Sequence, residues 1–264
     1  IVPVSQILHI GSKPMNPKLP IAEFAGILPE IILYDRVLTH EEQIRVSSYL
    51  AVKYGITLSE PEATYLSSDG SHIWEGADYP AFHNNIAGIG RDDSSGLFQK
   101  LSSSSNNPGL LSIITKDSMV NGGFLLWGDN NLPLSEEEQN PGSPILLQKK
   151  WFVVATNMPA PLTTELTIDT RQIDVELSDK SVIWLAIDRT GKGKFRVENL
   201  EFVKMTSLDK KGFAHFTNIT WNKSSSGKEA FGFIAGQELL VTTKINTPDC
   251  KVGNNGSFEV KVWG

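Results

Sequence analysis

Three short stretches concentrate hard oxygen donors: Asp92-Asp93-Ser94-Ser95-Gly96, Asp129-Asn130-Asn131 and Asp188-Arg189-Thr190-Gly191. Carboxylate, amide and hydroxyl oxygens are what a calcium ion prefers, so Asp92 and Asp93 are the candidate calcium ligands. The same residue types also make tight turns, because Asp and Ser side chains bond nearby backbone and Gly accepts a positive φ. None of the three stretches has the fixed ligand spacing of an EF-hand. Glu165 and Asp169 could serve as paired carboxylates of the glycosidase type, or simply face solvent from a strand. His72, Trp74, Tyr79, Phe82 and His83 lie within one short stretch. Flat rings can stack on sugars, which makes Trp74, Tyr79 and Phe82 the candidate ligand-binding aromatics; packing in a core is the competing use.

Other catalytic patterns are missing. The chain contains no Gly-x-Ser-x-Gly elbow, no His-Glu-x-x-His and no P-loop. Gly88-Ile89-Gly90 is followed by Arg91-Asp92-Asp93, so the third glycine of a dinucleotide fingerprint is absent, and no helical pattern follows it. A single cysteine, Cys250, excludes an internal disulfide framework and a cysteine-based zinc site. The expectation is a non-enzymatic chain with no cofactor, calcium aside.

Composition narrows the class further. The 264 residues are 40% hydrophobic and 20% charged, a globular balance, and the formal net charge is −6. An acidic chain without a basic patch has no electrostatic hold on nucleic acid or anionic lipid. No window approaches the ~20 consecutive apolar residues of a membrane-spanning helix, and no signal peptide opens the sequence. Ile1–Ile10 is already strand-like, and Phe258–Trp263 alternates as a strand up to the last residue. Both ends therefore suggest a longer protein, with a native mass far above that of this chain.

The elements that would position these residues are mostly strands. Gly26–Asp35 reads as a strand centred on Ile31, Ile32, Leu33 and Tyr34. Thr39-His40-Glu41-Glu42 is a capping box that opens a helix running to about Tyr54, with Gly55 as its stop. Val46, Tyr49, Leu50 and Val52 are spaced to pack that helix on a sheet. Beyond Pro61, short apolar runs predict strands at 86–91, 96–102, 110–115, 123–128, 145–156, 163–169, 182–188, 195–205, 212–221, 230–235 and 238–245. The turn signals Asp69-Gly70, Asn107-Pro108-Gly109, Asn121-Gly122-Gly123 and Thr190-Gly191 separate them. This spacing predicts an all-β fold of β-sandwich modules, jelly-roll or immunoglobulin-like, with one short helix near 40–54. Val182–Asp188 is apolar on both faces, the mark of a central strand covered on both sides. The stretch 129–144 has no period and reads as a loop or internal boundary.

Residues 24–58, FAGILPEIILYDRVLTHEEQIRVSSYLAVKYGITL, resemble the C-terminal end of LamG/concanavalin A-like jelly rolls of Bacteroidota surface proteins. The carrying features are Tyr34-Asp35-Arg36, Leu38–Glu42 and Tyr49–Leu58. Residues 62–236 resemble the module that often follows it, through Tyr65–Ser71, Ile73-Trp74, His83–Leu97, Gln99-Lys100 and Phe124–Asp129. Pro248-Asp249-Cys250 with Asn254–Ser257 and Phe258–Gly264 resembles the opening of a short repeat of gliding-motility adhesins. These resemblances imply three segments: 1–58 closing a jelly roll, 62–236 as a β-sandwich module, and 237–264 as a linker strand leading into a repeat. They imply a large protein exported by type IX secretion to the cell surface, in gliding motility or attachment. Asp117-Ser118-Met119 is similar to the O-glycosylation sequence of that phylum, making Ser118 a candidate acceptor. The sequons at Asn218, Asn222 and Asn255 carry no weight in a bacterial setting.

Three functions follow as expectations. The first is a non-catalytic adhesin segment that contacts cell-surface glycans or proteins. The second is a carbohydrate-binding module attached to a secreted enzyme. The third is a structural partner of the outer-membrane secretion or gliding machinery.

Overall fold

A computed structural model describes residues 26–60, 63–136, 146–175, 181–196, 199–224, 226–236, 240–246 and 257–263. The strand expected over Ile1–Ile10 and the features at Cys250 and Asn255 lie outside these residues. The chain divides into two units, 1–38 and 39–264.

In the first unit, residues 26–38 run without a strand, contrary to the expectation for Gly26–Asp35. Ile27, Leu33 and Val37 are exposed there. An apolar run becomes a strand only when a neighbour pairs its backbone, and no described residue does so here.

The second unit opens on helix α1 (His40–Tyr54). Its capping box forms as the sequence requires: Thr39 Oγ1 accepts from Glu42 N at 3.3 Å, and Thr39 N donates to Glu42 Oε2 at 2.8 Å. Gly55 ends it at φ 62°, where an added Cβ would lie 2.1 Å from the Ser103 carbonyl oxygen. The buried face is Ser48, Ala51 and Val52, smaller than the expected set. The Ser48 hydroxyl accepts the Leu66 N–H at 2.9 Å, so a small polar residue lets the helix approach strand backbone closely.

The strands are β1 (Thr64–Leu66), β2 (His72–Glu75), β3 (Asn84–Asp92), β4 (Leu97–Gln99), β5 (Leu101–Ser103), β6 (Leu111–Thr115), β7 (Phe124–Asp129) and β8 (Leu146–Thr156). They continue as β9 (Leu162–Asp169), β10 (Val182–Asp188), β11 (Leu200–Lys204), β12 (Ser207–Leu208), β13 (Phe213–Trp221), β14 (Lys228–Gly236), β15 (Leu240–Asn246) and β16 (Ser257–Trp263). Most form two antiparallel sheets: seven strands in the order β11-β10-β14-β8-β7-β3-β4, and five in the order β12-β13-β9-β6-β5. β1–β2 and β15–β16 are separate hairpins. The fold is an all-β sandwich with one helix.

Side-chain period 2 sorts each central strand between two cores. Ile89, Leu125, Trp127, Trp151, Val153, Leu185, Phe231 and Phe233 face Ile113, Leu166, Ile168, Phe216 and Trp221 of the five-stranded sheet. The alternate residues Ile86, Phe124, Leu126, Phe152 and Val154 face outward and are covered by Ala51 and Val52 of α1 and by Tyr65, Ile73 and Trp74 of the β1–β2 hairpin. This third layer explains why β3, β7 and β8 are apolar on both faces, whereas the outward residues of β10, Val182, Trp184 and Ala186, pack in a separate cluster with Leu146, Phe202 and Ile234. β13, in the five-stranded sheet, alternates between buried and partly exposed positions as expected.

The run 96–102 splits in two. β4 lies in the first sheet and β5 in the second, with Lys100 between them. β7 and β8 pair directly from Phe124↔Thr156 to Asp129↔Trp151, so the stretch after Asp129 connects neighbouring strands of one sheet.

Candidate functional site

The residues singled out in the sequence come to rest in several separate places. Trp74 is only 1% exposed and belongs to the outer core. Its ring meets Tyr79 edge-on at 5.3 Å, and Tyr79 stacks on Phe152 at 4.6 Å, with Phe82 against the same ring at 5.4 Å. Trp74 Nε1 donates to Nδ1 of the buried His83 at 3.0 Å. That bond assigns the proton of His83 to Nε2, which faces the Leu58 carbonyl at 3.4 Å. Burial holds the His83 imidazole below its ordinary 6.5. Of the three candidate ligand-binding aromatics, Tyr79 and Phe82 are half-buried and Trp74 is buried.

Asp92 and Asp93 point different ways. Asp92 is buried and accepts from Ser68 N at 2.8 Å and Ser68 Oγ at 2.6 Å, tying the β1–β2 turn to β3. Asp93 is exposed and takes a two-pronged bond from Arg91 at 2.8 and 3.0 Å, which lowers its pKa from the ordinary 3.8. Asp188 likewise closes its own turn, accepting from Thr190 N, Thr190 Oγ1 and Lys194 N. Glu165 pairs with Lys116, and Asp169 pairs with Arg171, which lowers the Asp169 pKa. Among the described residues, no group of three or more His, Cys, Asp or Glu is gathered around a point that could hold a metal ion.

Ser118 is exposed, on the loop between β6 and β7. Asp117 Oδ2 pins that loop by accepting Thr163 N at 2.8 Å, and Asn121 Oδ1 ties it to the β3–β4 turn by accepting Asp93 N at 2.8 Å. The loop thus forms one wall of an open groove at the end of the sandwich.

The groove is the product of three loops that strand order brings together, described at 116–123, 157–161, and 222–224 with 226–227. It encloses about 590 Å³ among Val120, Ala155, Asn157, Met158, Pro159, Asn222, Ser226 and Gly227. A smaller pit of about 100 Å³ adjoins it through Val120, Met158 and Pro159, and Ser118 lines that pit. Asn222 Nδ2 donates to the Met158 carbonyl at 2.9 Å, locking two of the loops together. Asn157 and Asn222 hold φ of 52° and 63°, a region that Asn tolerates better than other non-glycine residues. Gly227 lets its strand approach Ala155 closely, since a Cβ there would lie 2.6 Å from the Ala155 carbonyl oxygen.

Beneath this groove sits a buried ion-pair network. Glu229 is 1% exposed and pairs with Arg189 Nη1 at 3.1 Å. Its other oxygen accepts Asn222 N at 3.0 Å. Arg189 also bonds both oxygens of Glu201, at 2.9 and 3.0 Å, and the Thr220 carbonyl at 2.7 Å. These bonds, Arg189 first, hold the Glu201 carboxyl below its ordinary 4.5. The network fixes the take-off of the 222–227 loop.

The groove residues Asn157, Met158, Asn222 and Gly227 escaped sequence reading. The available signal was Asn next to Pro or Gly between apolar runs, at Asn157-Met158-Pro159 and Asn222–Gly227. That marks a turn without saying which turns converge.

The family DUF8202, described as a domain of unknown function, matches residues 42–225. The chain belongs to this family. The DUF8202 match begins inside α1 and runs through β13, so it takes in the helical layer, most of both sheets and much of the groove. Comparisons with curated proteins and with solved structures gave no match.

Proposed function

We propose that this chain is a non-catalytic β-sandwich module of a large cell-surface adhesin, serving gliding motility or surface attachment, and that the groove end is its contact surface. The observation that carries the reading is the groove lining. Amides, a hydroxyl, a thioether and a proline ring offer hydrogen bonds and apolar contact, and none of these groups titrates near neutral pH. A rigid two-sheet core holding recognition loops at one end is a recurrent way to bind a partner. The surface setting and export by type IX secretion rest on the resemblance of residues 24–58 and 248–264.

A second reading, a carbohydrate-binding module beside an enzyme domain, is favoured by Asn157 and Asn222. Carboxamides pair readily with sugar hydroxyls, and Met158 and Pro159 could pack on the apolar face of a ring. Glycan and surface-protein arrays probed with the full chain test both. Binding that disappears in Asn157→Ala and Asn222→Gly variants supports the groove, and glycan-only binding selects the second reading. Arrays without a hit would count against both readings. Robust turnover in a hydrolase screen would overturn the non-catalytic assignment.

A further inference from the structure

At the end of the sandwich opposite the groove, three side chains from neighbouring strands converge in the inter-sheet core: Asn85 of β3, Asp129 of β7 and Lys149 of β8. Lys149 shares its face with Leu147, Trp151 and Val153, and Asp129 shares its face with Leu125 and Trp127, so both point between the sheets. Their side chains are 7% and 1% exposed, with Lys149 Nζ 3.1 Å from Asp129 Oδ2. Asn85 lies at a bulge in the β3–β7 ladder with φ 51°. A bulge re-aims a side chain, and here Asn85 Nδ2 lies 3.0 and 2.9 Å from the two oxygens of Asp129. Lys149 Nζ lies 5.8 Å from the centre of the Trp151 ring.

A buried ion pair alone is a weak stabiliser, because desolvation offsets most of the attraction. The third member changes the chemistry. One carboxylate touches both an amine and the leaving nitrogen of a carboxamide, at the edge of a water-poor core. We propose that Lys149 and Asn85 join through an intramolecular isopeptide bond, with Asp129 as the proton carrier. This inference is independent of what the groove binds.

The reaction balances without an oxidant or a further reactant. Lys149 ammonium gives one proton to the Asp129 carboxylate, and the freed lone pair on Nζ attacks Cγ of Asn85. The Nζ–Cγ bond forms. The Cγ–Nδ2 bond then breaks as Nδ2 takes the proton from Asp129. The surplus proton on Nζ passes through Asp129 to the departing ammonia, which leaves as ammonium. Asp129 ends as the carboxylate it began as. The product ties β3 to β8 across β7, which would brace the sheet against pulling.

High-resolution mass spectrometry of the purified, folded full chain tests this directly. The expected result is a chain lighter than its sequence by one ammonia. Trypsin should fail to cut after Lys149, giving residues 54–91 joined to residues 117–150 in one branched peptide. Asp129→Asn, Lys149→Met and Asn85→Ser should each abolish the joined peptide. A folded wild-type chain of full mass would overturn the proposal. So would an ammonia deficit confined to the Asn85 peptide, the product of cyclic imide formation, or a deficit of one water, which would place the bond on Asp129. Because the decisive measurement uses the unaltered protein, a variant that fails to fold leaves the test intact.

Discussion

The two ends of the sandwich are closed by the same electrostatic device and differ in its chemistry. At the groove end, the buried Glu229 is held by a cation, Arg189, and by the backbone N–H of an asparagine, Asn222. At the far end, the buried Asp129 is held by a cation, Lys149, and by the side chain of an asparagine, Asn85. Arg189 spreads its fork of donors over Glu201, Thr220 and Glu229 and lies over the Trp221 ring. A guanidinium shared in this way is a rigid clamp and a poor nucleophile. Lys149 is a point charge beside a carboxamide, a pairing that can react. One end thus holds its loops in place, while the other brings an amine and a carboxamide to one carboxylate.

The largest expected effect separates the ends by stability. Asp129→Ala leaves Lys149 buried without its partner and should cost ~3–5 kcal/mol in denaturant unfolding of the full chain. Glu229→Ala should cost less, ~1–3 kcal/mol, because Arg189 keeps Glu201 and the Thr220 carbonyl. Equal losses would mean that the two buried carboxylates are held alike.

Acid sharpens it next. The Glu201 carboxyl titrates below its ordinary 4.5 in the folded chain, so the unfolded chain binds that proton first. Its contribution is therefore complete above about pH 4.5 and declines as pH falls through the lower folded value. His83 acts at higher pH by the same sign: stability is complete above 6.5 and declines below it, since the folded imidazole resists protonation. Melting temperature measured from neutral to acid pH should fall in two stages. His83→Gln should flatten the upper stage and Glu201→Gln should reduce the lower one.

A smaller effect concerns the groove alone. Asn222→Gly keeps the positive φ but loses the bond to Met158, at a cost of ~1 kcal/mol. Asn222→Ala should cost more, since it adds left-handed strain. Both should weaken array binding and keep the one-ammonia deficit relative to the variant's own sequence. Smallest and local is Thr39→Ala, which removes the helix cap and should cost ~1 kcal/mol of stability. It should leave binding and the one-ammonia deficit relative to its own sequence unchanged, which makes it the control for the other variants.

Much of the architecture was legible in residue order. Thr39 and Glu42 announced the helix start, Gly55 its stop, and the double-sided apolar run Val182–Ile187 announced a covered central strand. The β1–β2 hairpin was missed because its strands are three and four residues long, too short to show a period. Gly26–Asp35 had the composition of a strand but has no ladder partner among the described residues. The sites were less legible. Asp92, Asp93 and Asp188 carried the turn reading as well as the calcium reading, and their carboxylates are occupied by local donors. The two lysines at 149 and 150, buried beside Gln148 in a mostly apolar strand, were the overlooked hint to the far end.

Local chemistry is written in neighbouring residues, so the alternation of side chains, the helix cap and the turn residues follow from short stretches of sequence alone. Convergence is different. Asn85, Asp129 and Lys149 meet only because β3, β7 and β8 lie side by side and a bulge rotates one residue inward. Asn157 and Asn222 meet only because β9 pairs with β13 and β8 with β14. Strand order and register are set by burial summed over the whole core, a long-range balance that no window of sequence contains.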